Sequence, residues 1–388
     1  MKTKKVYGLL SVLTVMLIAW TFNSCSKSDA VPVSFTSLSA EISAAQTLLS
    51  TTAEGVAAGN YVRGSQAILQ AAITAAQAVV ASKTSTQAQV TAATAQLTAA
   101  VTTYQAAVVT PIAAANLMGQ WTFDELTTAA VGTSVKDYSG NSFNGAITAG
   151  HPYFSTTAAL PWSGYAVTSN VPTQTADRYG NANKALHFTA GANVEIPYNT
   201  KLNPQQITIS LWAKADSLPG DPGKYWANNY MISMNRWNTY KFQIQDTPRA
   251  FFTAHVSGKQ TPLCGCSADS TFYDRDMNAG KISPLVKWHH YVVTFGGGHE
   301  VFYVDGFLVY DWGSNNDAVP GTIVNIAAKP VNLVIGQDLP TAKYSTVSSS
   351  PYYVNYGAYF IGAIDEVRVY NTVLTPAQVT SIYTLEKP

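Results

Sequence analysis

The apolar residues of this chain change their period once, near Pro111, and the change divides the molecule into two unlike parts. Before it, Leu38, Ile42, Ala45 and Leu49 recur at three- and four-residue steps, as do Leu69, Ile73, Ala76 and Val80. Val90, Leu97, Val101, Tyr104 and Val108 continue the pattern. Gly55, Gly59 and Gly64 separate the first run from the second, and KTST separates the second from the third. Thr86 and Gln89 stand at the spacing of a capping box, in which each residue satisfies a free backbone N–H of the other. Residues 34–112 are therefore expected to form a small up-down-up bundle of three helices. Its outward positions are Ala, Thr and Gln, and Lys83 is the only charge between Ser65 and Gln120, so a spacer is expected there rather than chemistry.

After Pro111 the pattern alternates. QWTFDE, KALHFTA, NVEIPY, ITISLWAKA, WHHYVVTF, VFYVDGFLVY, VNLVIGQ and FIGAIDEVRVY are separated by Gly, Asn, Asp and Pro. Many short strands with no helical pattern between them imply a sandwich of antiparallel sheets. Asp305 and Gly306 read as a two-residue hairpin turn. Thr375, Pro376 and Gln378 read as the start of a short terminal helix.

The N-terminus, MKTKKVYGLLSVLTVMLIAWTFNSC, has a basic start and an apolar run shorter than the roughly twenty residues of a bilayer span. Its Asn-Ser-Cys ending resembles a bacterial lipoprotein signal. The resemblance implies removal of residues 1–24, lipid on Cys25, a polar tether over 25–33, and placement in the outer membrane facing the cell surface. Cys264 and Cys266 are too close in sequence to join separate segments, and both a local disulfide and two free thiols stay open. Charged residues make up 12% of the chain, the net charge is +1, and no basic stripe lies outside the signal, which argues against nucleic acid as a partner.

Two further resemblances follow from longer blocks. SQAILQAAITAAQAVVASKTSTQAQVTAATAQLTAAVTTYQ resembles the FIVAR-type helical modules of bacterial surface proteins. MGQWTFDE, VKDYSGNSFNGAI, NKALHFTAGANVEIPY, KWHHYVVTFGGGHEVFYVDGFLV and GAIDEVRVYNTVLTPAQV occur in the order of the laminin-G-like, concanavalin A-like domains. That second resemblance runs from about Asn116 to Tyr383 and implies an all-β jelly-roll sandwich of two sheets, expected as a domain over residues 116–388. It further implies carbohydrate or protein binding, less often a role beside hydrolases, and in some members a structural calcium ion. Residues 151–180, 257–283 and 339–356 are longer than the family's usual spacing, and such loops are where binding residues gather.

Asp365 stands out in the last strand. Strict alternation puts it in a row with Ile361, Ala363, Val367 and Val369, while Ile364, Glu366, Arg368 and Tyr370 face the other way. A buried carboxylate needs a partner. Backbone amides, a basic side chain and a cation are the three candidates. Since the family's first and last strands lie together, Asp124 and Asp365 are expected to share a structural Ca2+ with Asn141 or Asn144 if a cation is the answer.

No catalytic residue is assigned. Hydrolysis of a glycoside needs two carboxyl groups about 5–10 Å apart, and the Glu-x-Asp-x-x-Glu pattern of laminarinase-type relatives is absent. Asp274 and Asp276 have same-face spacing but read as loop residues beside LCGCS. The expected activity is therefore binding rather than catalysis, with a glycan or polysaccharide as ligand and separate glycan-degrading enzymes as partners. A protein-binding adhesion module and a glycoside hydrolase are the alternatives. Sugar binding calls for aromatic faces near amide and charged groups, which selects Trp226, Asn235, Arg236 and Trp237, and Tyr352, Tyr353 and Tyr356. Trp121, Trp212 and Trp288 are expected to be packing residues.

Overall fold

The computed structural model describes residues 32–388 except 56–58, 63, 153–170, 190, 219–220, 226–228, 246–247, 259–270, 279, 281, 283–284, 326–330 and 355–358. Cys25, Cys264, Cys266, Trp226 and Tyr356 lie outside the described residues.

Three helices come first: α1 (Thr36–Thr51), α2 (Ser65–Ala81) and α3 (Gln87–Ala106). Their common core is Leu38, Ile42, Ala45, Leu69, Ile73, Ala76, Val90, Ala93, Leu97 and Tyr104. The expected capping box forms at Thr86 and Gln89. The start of α2 lacks a side-chain cap, because Gly64 occupies that position; the Glu54 carboxylate instead accepts from the backbone N–H of Gln66, at 2.7 Å. Val108 departs from the expected seam. It follows the end of α3 and is 37% exposed.

Two antiparallel sheets then build the sandwich. In chain order the strands are β1 (Leu117–Trp121), β2 (Ser134–Val135), β3 (Gly145–Thr148), β4 (Thr173–Thr175), β5 (Ala185–Phe188) and β6 (Asn193–Ile196). β7 (Ile207–Ala215), β8 (Ser217–Leu218), β9 (Asp221–Tyr225), β10 (Asn229–Met234), β11 (Tyr240–Ile244) and β12 (Ala250–His255) follow. The last are β13 (Phe272–Asp276), β14 (His289–Gly296), β15 (His299–Val304), β16 (Phe307–Asp311), β17 (Leu333–Ile335) and β18 (Gly362–Tyr370). Among the described residues one sheet has the order β16-β15-β14-β7-β18-β5-β4, with β1 also paired to β18. The other runs β13-β12-β11-β10-β17-β6-β3-β2, and β8 pairs with β9 apart from both. Each sheet mixes strands distant in sequence, as a jelly roll requires. Trp121, Phe188, Leu211, Phe242, Phe252, Phe295 and Phe302 fill the space between the sheets. The Asp305–Gly306 turn joins β15 to β16 as expected, with φ of 52° and 78°.

A final helix, α4 (Pro376–Glu386), carries the expected capping box between Thr375 and Gln378. Val379 and Ile382 of α4, with Leu374 before it, pack on Val292, Val301, Tyr303 and Tyr370, on the outer side of the first sheet. The same helix meets the bundle: Ser381 Oγ accepts from Thr110 N–H at 3.1 Å, and Gln378 Nε2 donates to the Pro111 carbonyl at 2.7 Å.

β18 does not keep strict alternation. Asp365 lies opposite Trp212 and Arg368 opposite Ser210, so Glu366 and Val367 together face Leu211. This is a β-bulge, with Glu366 at φ 52°. One added residue exchanges the two faces of the strand. Ile364 points into the core before the bulge, and Val367 and Val369 point into it after. Asp365 therefore shares no row with the two valines. It lies on the outer side, buried near the end of α4.

There it meets Arg178, whose Nη1 is 2.7 Å from Asp365 Oδ2 and whose Nε donates to the Glu386 carbonyl at 2.7 Å. Arg368 Nη2 bonds Glu366 Oε2 at 2.6 Å and Glu386 Oε1 at 2.7 Å, and Trp212 Nε1 donates to Glu386 Oε2 at 2.9 Å. The pairing of Glu366 with Arg368 is the one that strand spacing suggested. Two guanidiniums thus face three carboxyl groups in a desolvated layer. Burial, with help from Glu366, pushes Asp365 up to about 8 against the pull of Arg178. Burial raises Glu366 as well, whereas at Glu386 the opposing pull of Arg368, His290 and Arg178 outweighs burial. The surplus proton therefore belongs to the Asp365–Glu366 side of the cluster.

Candidate ligand-binding face

The outer side of the second sheet carries polar residues on strands whose alternate positions are core. Tyr240, Phe242 and Ile244 of β11 point inward, as do Phe252 and Ala254 of β12, which leaves Lys241, Gln243, Phe251 and Thr253 outward. Strand register aligns them in rows. One runs Ser233, Lys241, Thr253, Asp274, and the next runs Tyr230, Gln243, Phe251, Asp276.

Up to β12 the residues of both rows are buried, and the connection from β10 to β11 projects an aromatic side chain beside Lys241 of the first row. Asn235 and Arg236 adopt left-handed φ values of 59° and 51°, and residues Arg236–Asn238 form a single tight turn. Asn enters this region readily, whereas Arg needs support. Support comes from Asp338, which accepts from Arg236 Nε and from the Tyr344 hydroxyl. Arg236 Nη1 also donates to the Pro351 carbonyl, at 3.3 Å. Burial disfavours the charge on Arg236, but Asp338 and Tyr344 more than compensate and hold it firmly protonated. The turn leaves Trp237 39% exposed while Asn235 and Arg236 are 1% and 2% exposed.

Behind Trp237 lies Lys241. Its Nζ stands 5.0 Å from the Trp237 ring centre, 5.1 Å from Tyr230 and 5.4 Å from Phe251. It donates to Tyr230 Oη at 3.2 Å and Gln243 Oε1 at 3.1 Å. Further along, Thr253 Oγ1 donates to Asp274 Oδ1, and Arg249 Nη1 bonds Asp276 Oδ2 at 3.0 Å.

Of the residues selected from sequence, the fold brings Arg236 and Trp237 together with the loop that bears Tyr352 and Tyr353, through the Arg236–Pro351 bond. Both tyrosines are partly exposed. Asn235 and Arg236 support the turn from inside. Sequence reasoning missed Lys241, Gln243, Thr253 and Asp338. The first three had a readable signal, polar residues alternating with core positions in YKFQI and AFFTAH, but Asp338 had none. Asp274 and Asp276 are not loop residues: they lie on the edge strand β13, both outward, about 7 Å apart along the strand. Trp288 is half-buried before β14, with Lys214 Nζ 5.3 Å from its ring centre, rather than packed in the core. Trp121 and Trp212 are buried, the latter beneath α4.

The residues expected to share a cation are occupied otherwise. Asn144 Oδ1 accepts from the Asp137 N–H at 2.9 Å, and Asn141 Nδ2 donates to the Leu117 and Met118 carbonyls while its Oδ1 accepts from Lys201. Asp137, which accepts from Gln120 and Phe143 N–H groups, organises this turn. Asp365 has the Arg178 guanidinium at the position a cation would take, and the Asp124 carboxyl, raised mainly by burial, has Lys184 and Arg178 among its nearby charges. These residues do not fit a calcium ligand set. Among the described residues no group of three or more His, Cys, Asp or Glu could hold a metal ion.

Residues 188–380 match the family model of the concanavalin A-like lectin/glucanases superfamily. Domain 4 of AbnA, a GH43 extracellular arabinanase from Geobacillus stearothermophilus, in complex with arabinotriose, is similar in structure. It has 17% identity and a TM-score of 0.44, over 69% of this chain and 98% of that one. The Trypanosoma rangeli sialidase in complex with sialic acid has 15% identity and a TM-score of 0.39, over 72% of this chain and 34% of that one. The chain thus spans about a third of the sialidase. The binding domain of Botulinum neurotoxin DC in complex with rat synaptotagmin II has 11% identity and a TM-score of 0.40, over 70% of this chain and 51% of that one. No curated protein sequence matches the chain.

Proposed function

We propose that the sandwich is a non-catalytic carbohydrate-binding domain, displayed from an outer membrane on lipidated Cys25 and a helical spacer. It captures polysaccharide for separate degrading enzymes. The observation that carries the reading is Trp237. It is a large aromatic side chain held partly exposed by a buried, ion-paired turn, where most of the neighbouring sheet is covered. The C–H face of a sugar packs on an indole, and its hydroxyls need polar partners nearby; Asn238 on the same turn and Tyr352 and Tyr353 on the loop bonded to it are partly exposed.

The spacer reading rests on where the chain enters and leaves the bundle. Ser34 N–H bonds Gln87 Oε1 at 2.9 Å at the start of α3, while the sandwich attaches beyond its end. A twenty-residue helix such as α3 separates these points by about 30 Å. Binding rather than hydrolysis is favoured because the carboxyl groups that burial raises are not on this face. Asp365 and Glu366 lie near the end of α4, and Glu300 is 0% exposed.

Affinity electrophoresis of the full chain against a polysaccharide panel tests the reading. At least one polysaccharide should retard the protein, and Trp237→Ala should weaken retardation ten-fold or more at unchanged melting temperature. Retention by none, or an unaffected variant, overturns it. The hydrolytic alternative has one observation in its favour, the same-face pair Asp274 and Asp276, whose spacing falls within the range hydrolases use. Reducing-sugar release abolished by Asp274→Asn or Asp276→Asn would establish it.

A further inference from the structure

A cleft of about 470 Å³ opens beside the start of β7, the β14–β15 turn and the end of β18. Gln205 and Gln206 precede β7, Gly296 and Gly297 turn β14 into β15, Asn371 follows β18, and Thr322 completes the polar lining. Gln205, Gln206 and Gly297 are exposed, and Thr322 and Asn371 are partly exposed, so a ligand can reach them. Among the described residues the lining holds no charged and no aromatic side chain. Its amides are unused. Neither glutamine side chain makes a hydrogen bond among the described residues, and Asn371 Oδ1 has no donor to accept from. Other amides are committed, Asn141 to the Leu117 carbonyl, Asn144 to the Asp137 N–H, Gln337 to the Leu339 carbonyl and Gln378 to the Pro111 carbonyl. One exposed glutamine with a free amide is ordinary, because water satisfies it. Three free amides around one uncharged cleft form a set of hydrogen-bonding groups without a task in the fold. The glycines keep the cleft open. At Gly296 a Cβ would lie 2.6 Å from Gln206 Cβ, and at Gly297, with φ 61°, a Cβ would meet nothing within 4 Å, so the backbone there is bare to a close approach.

Backbone hydrogen bonds tie the cleft to the turn that carries Trp237. His255 N–H donates to the Thr239 carbonyl at 2.7 Å, Val324 N–H to the His255 carbonyl at 2.9 Å, and Ile323 N–H to the Gln205 carbonyl at 2.9 Å. Three such steps amount to about 15 Å at the usual separation of neighbouring strands. The indole and the cleft therefore lie at one end of the sandwich, too far apart for a single sugar and within the span of a short oligosaccharide. We infer that the cleft is a second subsite for the glycan and takes a neutral, hydroxyl-rich sugar unit of the chain that packs on Trp237. The inference rests on the glycan-binding reading above and narrows its ligand to an uncharged polysaccharide. An amide both donates and accepts, as a sugar hydroxyl does, so Gln205, Gln206 and Asn371 pair with hydroxyls in either sense. A carboxylate or sulfate in the cleft would find no cation to repay its lost hydration. The two subsites divide the work, with the indole supplying an apolar platform and the cleft reading hydroxyl positions.

The test uses the full chain with xylan, linear arabinan, laminarin and galactomannan as neutral probes and polygalacturonate as an acidic one, in affinity electrophoresis. Calorimetry then follows short and long oligosaccharides of each neutral probe that is retained. The expected result is retention by at least one neutral probe, with affinity that rises with oligosaccharide length. In the double variant Gln205→Ala/Gln206→Ala, affinity for the long oligosaccharides should fall about ten-fold, the worth of one or two hydrogen bonds, to near that of the short ones. Binding of the short ones and the melting temperature should stay unchanged, whereas Trp237→Ala should weaken short and long alike. A double variant that binds long oligosaccharides as tightly as the wild type, affinity that does not grow with length, or retention by polygalacturonate alone overturns the inference. If Trp237→Ala abolishes retention and the double variant keeps it in full, the glycan reading stands and the cleft falls. If no probe is retained, both fall.

Discussion

Replacing Arg178 tests the account of the outer side of β18. The guanidinium contacts Asp365 at 2.7 Å, and the two side chains are 7% and 2% exposed. It also holds the Glu386 carbonyl near the end of α4. Arg178→Met keeps most of the aliphatic volume and removes the charge, leaving Asp365 and Glu366 with Arg368 alone. At pH 9, above the value to which burial raises Asp365, removing one partner of the buried ion pair destabilises by about 3–5 kcal/mol. A domain of this size loses about 2–4 °C per kcal/mol, so its transition should fall by roughly 6–20 °C. Tryptophan fluorescence on heating reads the sandwich selectively, because every tryptophan after Trp20 lies beyond residue 116. Adding Asp365→Asn should recover much of the loss, since an amide in place of the acid needs no cation. Chelator should leave the transition unmoved in each protein. A chelator-sensitive transition in the wild type, together with an Arg178→Met variant as stable as its parent, would refute the reasoning and return Asp365 to a cation site.

Three further outcomes are expected. Glu300 is wholly buried, and burial holds its carboxyl protonated well above the usual range, against the pull of Arg275. The folded state thus keeps a proton that the unfolded chain releases, so stability declines as pH rises above about 4.5. Glu300→Gln should remove that decline and be the more stable protein at pH 8, and parallel stability–pH curves would refute the assignment. Gly336 has φ 89°, and a Cβ there would overlap the Phe188 ring; Gly336→Ala should cost about 2–3 kcal/mol in chemical denaturation, and a neutral result would show that the ring yields. Cys25→Ala should move the protein from the membrane to the soluble fraction, and continued membrane association would exclude the lipid anchor.

The features legible in the sequence were local ones. The capping boxes at Thr86 and Thr375 and the Asp305–Gly306 turn depend on residues within four positions of one another, so their chemistry is written in adjacent letters. The sheets themselves follow from alternation, which each strand carries alone. The Asp365 question was legible but its answer was not. A bulge is a property of two strands, and nothing in AIDEVRVY marks which residue its neighbour will skip. Its partner Arg178 comes from 187 positions away, inside a stretch read only as inserted loop. The binding face shows the same limit. NRWN looked like one cluster of sugar-binding side chains, but the left-handed turn sorts it by direction, with Arg236 inward to Asp338 and Trp237 outward. Lys241 escaped notice for a related reason. In YKFQI it reads as an ordinary outward lysine, and only the register of β10, β11 and β12 surrounds it with rings and leaves it without a carboxylate. A charge is unremarkable in a sequence and becomes informative once its neighbours are known, because the cost of leaving it unpaired belongs to the surroundings rather than to the residue.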